Sequence, residues 1–335
     1  MFEILLQFII SALVIVLAGS VLTKFADKIA ELTGWGRIFV GGLLLAGATS
    51  LPELMVDIKA VQLDIPDLAV GDLLGSSLFN LLILATLDFS CPSASRRTAF
   101  SPVFLHHSLS AVLSILLTAI VGIGIASRLE TSILGVSVFS WAVVIFYIFG
   151  LRLIFLEGSK ETNISTHSEK RSVLQLFKQR PMLQAISGYF ASALVILIAS
   201  PYLVNSADQL AKVSGLGHTF IGTTLVALST SLPELVTTLI AFRMGAPDLA
   251  LGNIFGSNAF NMIIFFPLDL MYPKALFSSV RSTHAVTAFS IIAAMSVVVM
   301  GQLYRKKERS RFTEPSSEIV VVLILLSLYL LYKLV

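Results

Sequence analysis

Charged residues and cysteine are what this 335-residue sequence has least of. Only 13% of its residues are Asp, Glu, Lys or Arg, against roughly 25% in a typical soluble domain, so the chain has too little polar surface to face water all round. Its one cysteine, Cys91, excludes a disulfide within the chain and a cluster of thiolate metal ligands. The net charge of +3 does not indicate a nucleic-acid partner. No nucleophile, phosphate-binding loop or metal dyad indicates an enzyme.

Long apolar runs are abundant, and several reach the roughly 20 residues that cross a bilayer. The fold class predicted is an all-α polytopic membrane protein with ten transmembrane helices. The first run has no basic residue ahead of it, which favours a retained helix over a cleaved signal peptide. The predicted helix cores are residues 3–23, 38–60, 67–88, 103–125, 131–154, 183–206, 219–242, 248–270, 283–302 and 318–334.

The connections between these helices predict an orientation, because basic loops stay on the cytoplasmic side. With both termini outside, the inner connections carry 17 Lys and Arg residues and the outer ones 6. We therefore expect a multi-pass protein of the cell membrane with its N- and C-termini outside. A polar cytoplasmic linker, residues 157–180, divides a five-helix segment, residues 1–156, from a second one, residues 181–335.

The sequence repeats itself at an offset of 181 residues. The block 41–80 matches the block 222–261 without a gap, with 19 of 40 positions identical. Five helices in each copy is an odd number, so the second copy enters the membrane upside-down. Inverted repeats with interrupted helices are typical of secondary transporters, whose sites lie near the midplane.

Each repeat carries a proline and a glutamate inside a predicted span, in ATSLPEL (48–54) and STSLPEL (229–235). Pro52 and Pro233 have no N–H, so each frees a carbonyl of the preceding turn. Glu53 and Glu234 follow directly and fall near the bilayer centre. Carboxylates, freed carbonyls and hydroxyls form an all-oxygen site, which suits hard cations such as Na⁺ and Ca²⁺.

The third and eighth helices supply a second wall. In GSSLFN (75–80) and GSNAFN (256–261), a serine and an asparagine four residues apart share one helical face: Ser76 with Asn80, and Ser257 with Asn261. Close packing of small residues and interhelical hydrogen bonding are competing explanations for these side chains. The small-xxx-small spacing of Gly71 with Gly75 and of Gly252 with Gly256 predicts close helix approach.

These paired motifs resemble the α-repeats of the calcium/cation antiporter superfamily, and specifically its sodium/calcium exchangers of minimal prokaryotic type. The resemblance implies that Ca²⁺ is bound by the glutamate and the threonine carbonyl of each repeat, here Glu53, Thr49, Glu234 and Thr230. It also implies Na⁺ sites or a second wall formed by Ala46, Ser50, Ser76, Asn80, Ala227, Ser231, Ser257 and Asn261.

The two repeats depart from one another and from the family pattern at a few positions. Some prokaryotic relatives have Asp at one of the two positions where this chain has Asn80 and Asn261. In the family, K⁺-dependent exchange accompanies an Asp there, so the resemblance argues against K⁺ dependence. Asp72 replaces the more usual Asn, which Asn253 keeps. Asp57 lies one turn beyond Glu53, and Thr238 occupies the equivalent position in the second repeat.

The function expected is exchange of Ca²⁺ for Na⁺ across the membrane by alternating access. The alternatives are a proton-coupled Ca²⁺ exchanger, in which the two glutamates carry protons, and a passive cation channel. No cofactor is expected beyond the transported Ca²⁺ and Na⁺. The lipid bilayer is the expected surrounding, no nucleic-acid partner is expected, and a monomer is expected although the sequence leaves the oligomeric state open.

Overall fold

A computed structural model describes residues 2–90, 107–165, 180–213, 228–304 and 317–334. Helices account for nearly all of these described residues. We number them α1 (Phe2–Thr33), α2 (Arg37–Phe39), α3 (Ala46–Thr49), α4 (Leu51–Gln62), α5 (Pro66–Ser90), α6 (Ser108–Ser127), α7 (Val138–Ser165), α8 (Arg180–Val213), α9 (Leu232–Arg243), α10 (Pro247–Met271), α11 (Leu276–Ser279), α12 (Thr283–Leu303) and α13 (Ser317–Leu334). A π-helical segment, Val40–Leu45, joins α2 to α3.

Seven described helices are long and apolar enough to cross a membrane, and a bent pair, Arg37–Thr49 with Leu51–Gln62, makes an eighth candidate. The last helix, α13, is apolar but shorter. The predicted seventh helix, 219–242, lies partly outside the described residues, which begin again at residue 228. The described chain therefore confirms a helical protein with several spans, and the number ten stays a prediction.

Several predicted boundaries are wrong. The first, fifth and sixth predicted helices end later than expected, at Thr33, Ser165 and Val213 instead of 23, 154 and 206. One predicted start is also wrong by several residues. The fifth helix was predicted from residue 131, but two short antiparallel strands, β1 (Ser132–Ile133) and β2 (Val136–Ser137), come first. Leu134 and Gly135 between them have φ of 55° and 79°. This left-handed conformation forms a hairpin turn and cannot continue a right-handed helix. The apolar residues of this stretch concealed the turn.

The chain divides into two compact units, and each takes segments from both halves of the sequence. The first unit comprises Met1–Pro52 and Leu151–Ser257; the second comprises Glu53–Gly150 and Asn258–Val335. The units therefore do not coincide with the two sequence repeats. The division into repeats at 1–156 and 181–335 stays a prediction from the sequence.

In the first unit, α1 packs along α8. Gly188 permits this contact, since a Cβ there would lie 2.2 Å from the ring of Phe25. The next residue, Tyr189, donates a hydrogen bond of 2.6 Å to the carbonyl of Leu44, inside the π-helical segment. This bond satisfies a backbone carbonyl in a segment whose bonding departs from the regular α-helical pattern.

In the second unit, α12 packs against α6 and α13, and two aspartates hold the starts of other helices. Asp269 accepts hydrogen bonds from the Ser137 N–H and the Ser140 hydroxyl, each at 2.7 Å, at the start of α7. Asp88 accepts one from the hydroxyl of Ser317, the first residue of α13. Asp88 and Asp269 are 181 residues apart and therefore occupy equivalent positions of the repeat. Each aspartate anchors the start of a helix that belongs to the other half of the sequence.

The connections of the second unit are joined by a surface ion pair. Asp64, between α4 and α5, accepts hydrogen bonds from the Tyr272 hydroxyl at 2.7 Å and from Lys274 Nζ at 3.0 Å. These two donors, the tyrosine first, hold the pKa of Asp64 below its usual value. Asp64 has a φ of 58°, a left-handed conformation that Asp and Asn tolerate better than most residues.

Candidate cation-binding site

The helix that carries Glu53 is broken at Ser50. Ser50 has φ −90° and ψ 4°, outside the helical region, and the two halves of the span meet at a bend of 44°. The Ser50 N–H still donates to the Ala46 carbonyl at 3.0 Å, so the first half ends there. Pro52 then sits in the first turn of α4, where its missing N–H costs no helical bond. The break therefore falls two residues before the proline.

The second repeat breaks in the same way. Ser231 precedes α9 with φ −85° and ψ 7°, and Pro233 again lies in the first turn. The Ser231 carbonyl accepts the Leu235 N–H at 3.1 Å. Ser50 and Ser231 are equivalent positions of the repeat, and their backbone angles differ by only a few degrees. The repeated sequence thus produces a repeated backbone conformation.

Within the first unit, the two broken motifs meet through a hydrogen bond. The Ser50 hydroxyl lies 3.2 Å from Glu234 Oε1 and donates to it. This contact joins the serine of the first repeat to the glutamate of the second. The Thr49 hydroxyl points back along its own helix, to the carbonyls of Leu45 at 3.1 Å and Ala46 at 3.2 Å. The Ala46 carbonyl therefore accepts two hydrogen bonds, from the Thr49 hydroxyl and the Ser50 N–H.

Close backbone contact brings the second wall of the first unit to this motif. A Cβ at Gly256 would lie 2.4 Å from Cα of Gly42, and a Cβ at Gly252 would lie 2.7 Å from the Ile38 carbonyl oxygen. The close approach predicted for Gly252 and Gly256 is confirmed. Ser257 follows directly on α10, fully buried, and its hydroxyl oxygen has no hydrogen-bond partner among the described residues.

The equivalent glycines of the first repeat are less crowded. A Cβ at Gly71 would meet only the His284 ring, at 3.4 Å, and one at Gly75 would meet no described atom within 4 Å. The segment equivalent to Gly41 and Gly42 starts at residue 222, outside the described residues. The close approach predicted for Gly75 is therefore not seen in the described part of the chain.

Within the second unit, Glu53 has a partner on the third helix of its own repeat. The Ser76 hydroxyl lies 3.3 Å from Glu53 Oε1 and donates to it. Ser76 lies on α5, one turn before Asn80. Glu53 and Ser76 are each 1% exposed, so this carboxylate is held away from bulk water.

Two asparagines complete the wall of the second unit. Asn80 Nδ2 donates to Asn258 Oδ1 at 2.9 Å, and Asn258 Nδ2 donates to the Ser77 carbonyl at 3.3 Å. Asn261 Nδ2 lies 3.4 Å from the Ser77 hydroxyl. These bonds tie α5 to α10, as interhelical hydrogen bonding requires. The side-chain carbonyl oxygens of Asn80 and Asn261 are buried and accept no hydrogen bond from the described residues. Both oxygens are therefore available as ligands for a cation.

Eleven of the twelve predicted site residues are described, and each is at most 1% exposed. Ala227 lies outside the described residues. The structure brings together Ser50 with Glu234 in the first unit and Ser76 with Glu53 in the second. Sequence reasoning missed Asn258 and Ser77, which hold the two predicted asparagines. The sequence did contain a signal for both residues, because Ser77 and Asn258 occupy equivalent positions of the repeat and both are polar.

Every ligand presented by these residues is an oxygen: carboxylate, hydroxyl, amide carbonyl or backbone carbonyl. Such a set suits a hard cation and is a poor match for Zn²⁺ or Cu⁺. The described chain is thus that of a multi-pass membrane protein with buried carboxylates and neutral oxygens beside its broken helices.

Comparison with known proteins places this class in a family. The sodium/calcium exchanger protein family matches residues 3–156 and 185–335 of this sequence, and the chain belongs to that family. The inner membrane protein YrbG of Escherichia coli is 28% identical over 78% of each chain. The sodium/calcium exchanger MaX1 of Methanosarcina acetivorans is 41% identical over 30% of each chain.

A solved structure of the sodium-calcium exchanger NCX_Mj has the same fold. It superimposes with a TM-score of 0.71 over 99% of this chain and 98% of its own, at 18% sequence identity. This likeness confirms the predicted all-helical membrane fold, whereas the ten helices and the two inverted repeats stay predictions.

Proposed function

We propose that this protein is a secondary antiporter that exchanges Ca²⁺ for Na⁺ across the cell membrane by alternating access. Glu53 and Glu234, with the carbonyls of Thr49 and Thr230, bind Ca²⁺. The Na⁺ ligands or second wall are Ala46, Ser50, Ser76, Asn80, Ala227, Ser231, Ser257 and Asn261. The observation that carries the proposal is the hydrogen bond from Ser50 to Glu234, because it sets the broken motif of one repeat against the carboxylate of the other.

Charge balance explains why such a site couples two ions. Two carboxylates neutralise one Ca²⁺, and the same pair accommodates a small number of Na⁺. A carboxylate left uncompensated at the bilayer centre costs at least about 2.5 kcal/mol. A site without a cation is therefore unfavourable. One type of cation must replace the other before the site opens to the opposite side of the membrane.

The neutral oxygens favour Na⁺ over a proton as the coupling ion. A proton needs no coordination shell, whereas Na⁺ takes several oxygen ligands. The buried carbonyl oxygens of Asn80 and Asn261 and the hydroxyl of Ser257 can serve as such ligands. The Thr49 hydroxyl can keep its bond to Leu45 alone, which would release the Ala46 carbonyl to a cation.

The topology belongs to the same proposal: ten helices in two inverted five-helix repeats, with both termini outside. The matching backbone angles at Ser50 and Ser231 support two copies of one structural unit. The reciprocal contacts of Asp88 and Asp269 support it further, since each repeat anchors a helix of the other.

The test is Ca²⁺ flux into proteoliposomes, with Na⁺ and pH gradients imposed separately. We expect uptake of radioactive Ca²⁺ that requires a Na⁺ gradient and persists when the pH gradient is collapsed. Glu53→Gln and Glu234→Gln should each abolish it. Glu31→Gln makes the same chemical change at an exposed residue and should leave the flux intact.

Three outcomes would contradict the proposal. Uptake driven only by a pH gradient would identify a proton-coupled exchanger. Net Ca²⁺ current without a counter-ion would identify a channel. Normal flux in either glutamate variant would remove the proposed site.

A further inference from the structure

At two positions of the repeat, the first copy has acidic side chains and the second copy has neutral polar ones. In the second copy these are Thr238 and Asn253, which lie in the first unit. Asn253 Nδ2 donates to the Thr238 hydroxyl at 2.8 Å and to the Thr237 hydroxyl at 3.0 Å. A neutral hydrogen bond therefore holds α9 to α10 at this point.

In the first copy the same two positions are Asp57 and Asp72, on α4 and α5 of the second unit. Asp57 is fully buried, and neither of its carboxylate oxygens has a hydrogen-bond partner among the described residues. The charge of Asp72 acts on Asp57. Two ionised carboxylates cannot hydrogen-bond to each other, so the packing role that Thr238 and Asn253 perform is not available to this pair.

Asp57 has no compensating positive charge in the described part of the chain. No basic side chain there forms an ion pair with it, and the charged group that acts on it is Asp72, a like charge. The other acidic and basic side chains on the described helices of the same unit are Glu53, Lys59, Asp67, Asp88, Asp269, His284, Glu318 and Lys333. Of these, Asp67 and His284 bond to each other at 3.0 Å, and Asp269 holds the start of α7.

We propose that Asp57 and Asp72 form a second cation site, specific to the first repeat, that binds Ca²⁺. Asp57 follows Glu53 by four residues, and Asp72 precedes Ser76 by four residues. Each aspartate thus lies one helical turn from a residue of the main site, on the same face of its helix. The pair is placed as a staging site for the ion that Glu53 receives. Its ion identity rests on the proposed function, whereas its existence as a cation site does not.

The ligand set predicts weak binding. Two carboxylates offer at most four oxygens, and Ca²⁺ takes six to eight. No group of three His, Cys, Asp or Glu side chains converges in the described residues, so neutral oxygens must complete the shell. Fewer charged ligands mean lower affinity. We therefore expect this site to bind Ca²⁺ more weakly than the paired glutamates.

The test measures Ca²⁺ binding without any gradient. In full-length Glu53→Gln/Glu234→Gln protein in detergent, equilibrium binding of radioactive Ca²⁺ should retain one weak site per chain. Adding Asp57→Thr and Asp72→Asn should remove that site. These two changes install the pair seen in the second repeat, so the helices should still pack. Asp64→Asn, which removes an exposed carboxylate of the same unit, should leave the weak site in place.

Infrared spectroscopy gives an independent measurement that does not depend on a folded quadruple variant. In the Glu53→Gln/Glu234→Gln protein with isotope-labelled aspartate, Ca²⁺ should shift an aspartate carboxylate band. The absence of both the shift and the weak site would overturn the proposal. A protonated carboxylic acid band that Ca²⁺ does not remove would also overturn it, because the pair would then share a proton. Failure of Ca²⁺ flux in the unmodified protein would instead contradict the proposed antiport and leave this binding result unaffected.

Discussion

Replacing Gly256 by alanine tests how closely the two walls of the first unit must approach. Gly256 precedes Ser257 on α10 and lies against the backbone of Gly42 in the π-helical segment. A Cβ at Gly256 would lie 2.4 Å from both the Cα and the carbonyl oxygen of Gly42. Ordinary contacts between carbon atoms are about 3.5–4.0 Å. Because the opposing atoms are backbone, no side chain can rotate away, and the helices must separate by about 1 Å.

The expected loss of stability follows from that overlap. Overpacking a buried contact costs about 1–3 kcal/mol, and a rigid backbone neighbour places this case near the upper end. Alanine gains up to about 1 kcal/mol over glycine in helix propensity. The net destabilisation is therefore about 2 kcal/mol, which changes the unfolding equilibrium by roughly thirtyfold. Transport should fall as well, because Ser257 moves with the displaced helix.

Thermal unfolding in detergent and Na⁺-driven Ca²⁺ flux are the two measurements. Gly42→Ala is the matched control, since it makes the same change on the facing segment, where a Cβ would lie 3.5 Å from its nearest neighbour, the Gly252 carbonyl oxygen. It should unfold at the temperature of the unmodified protein or slightly above. If Gly256→Ala were as stable and as active as Gly42→Ala, the close backbone contact could not be what positions the second wall.

Three further changes test other contacts. Ser76→Ala removes the hydroxyl that bonds to Glu53 Oε1 and that is proposed above as a Na⁺ ligand. Loss of a polar interaction with an ion, worth about 1.5–3 kcal/mol, should raise the Na⁺ concentration for half-maximal flux roughly tenfold or more. Ser20→Ala, at an exposed serine bonded to its own helix, should have no effect. Asp269→Ala removes the acceptor at the start of α7 and should lower the free energy of unfolding by about 1–3 kcal/mol, measured by thermal unfolding; an unchanged melting temperature would contradict this role. Asp64→Asn tests the surface ion pair: its tyrosine and lysine partners lower the pKa of Asp64, so they stabilise the fold above the ordinary Asp pKa and this contribution is lost as pH falls through the lowered folded value. The variant should show a slightly flatter loss of stability with acidification, and a slope as steep as in the unmodified protein would refute the linkage.

The parts of the site that depend on local sequence could be predicted. A proline beside a glutamate in an apolar segment indicates a broken helix with a buried acid, whatever surrounds it. Glu53 and Glu234 are accordingly each 1% exposed, and both breaks occur. The serine–asparagine spacing on α5 and α10 likewise placed Ser76 and Asn80 in the interior, because residues four apart share a helical face.

Contacts between distant segments could not be predicted, because pattern does not specify which surfaces meet. The small-xxx-small spacing predicted that Gly256 has a close neighbour, but not that this neighbour is Gly42. The bonding of Asn80 to Asn258 depends on the alignment of α5 with α10, which neither helix encodes alone. The hairpin at 132–137 was missed because its apolar residues continue the pattern of the following span. The position of Ala227 stays a prediction.

Each compact unit draws on both copies of the repeated sequence, and this has a consequence for how such a chain can arise. A gene of half this length would encode parts of two bodies and the whole of neither. With the inverted topology proposed above, its product would have needed a second copy of itself, inserted in the opposite direction, before any ion could be enclosed. If this chain arose by duplication and fusion of such a gene, only the fused chain could acquire an acidic pair in one copy that the other copy lacks, such as Asp57 and Asp72.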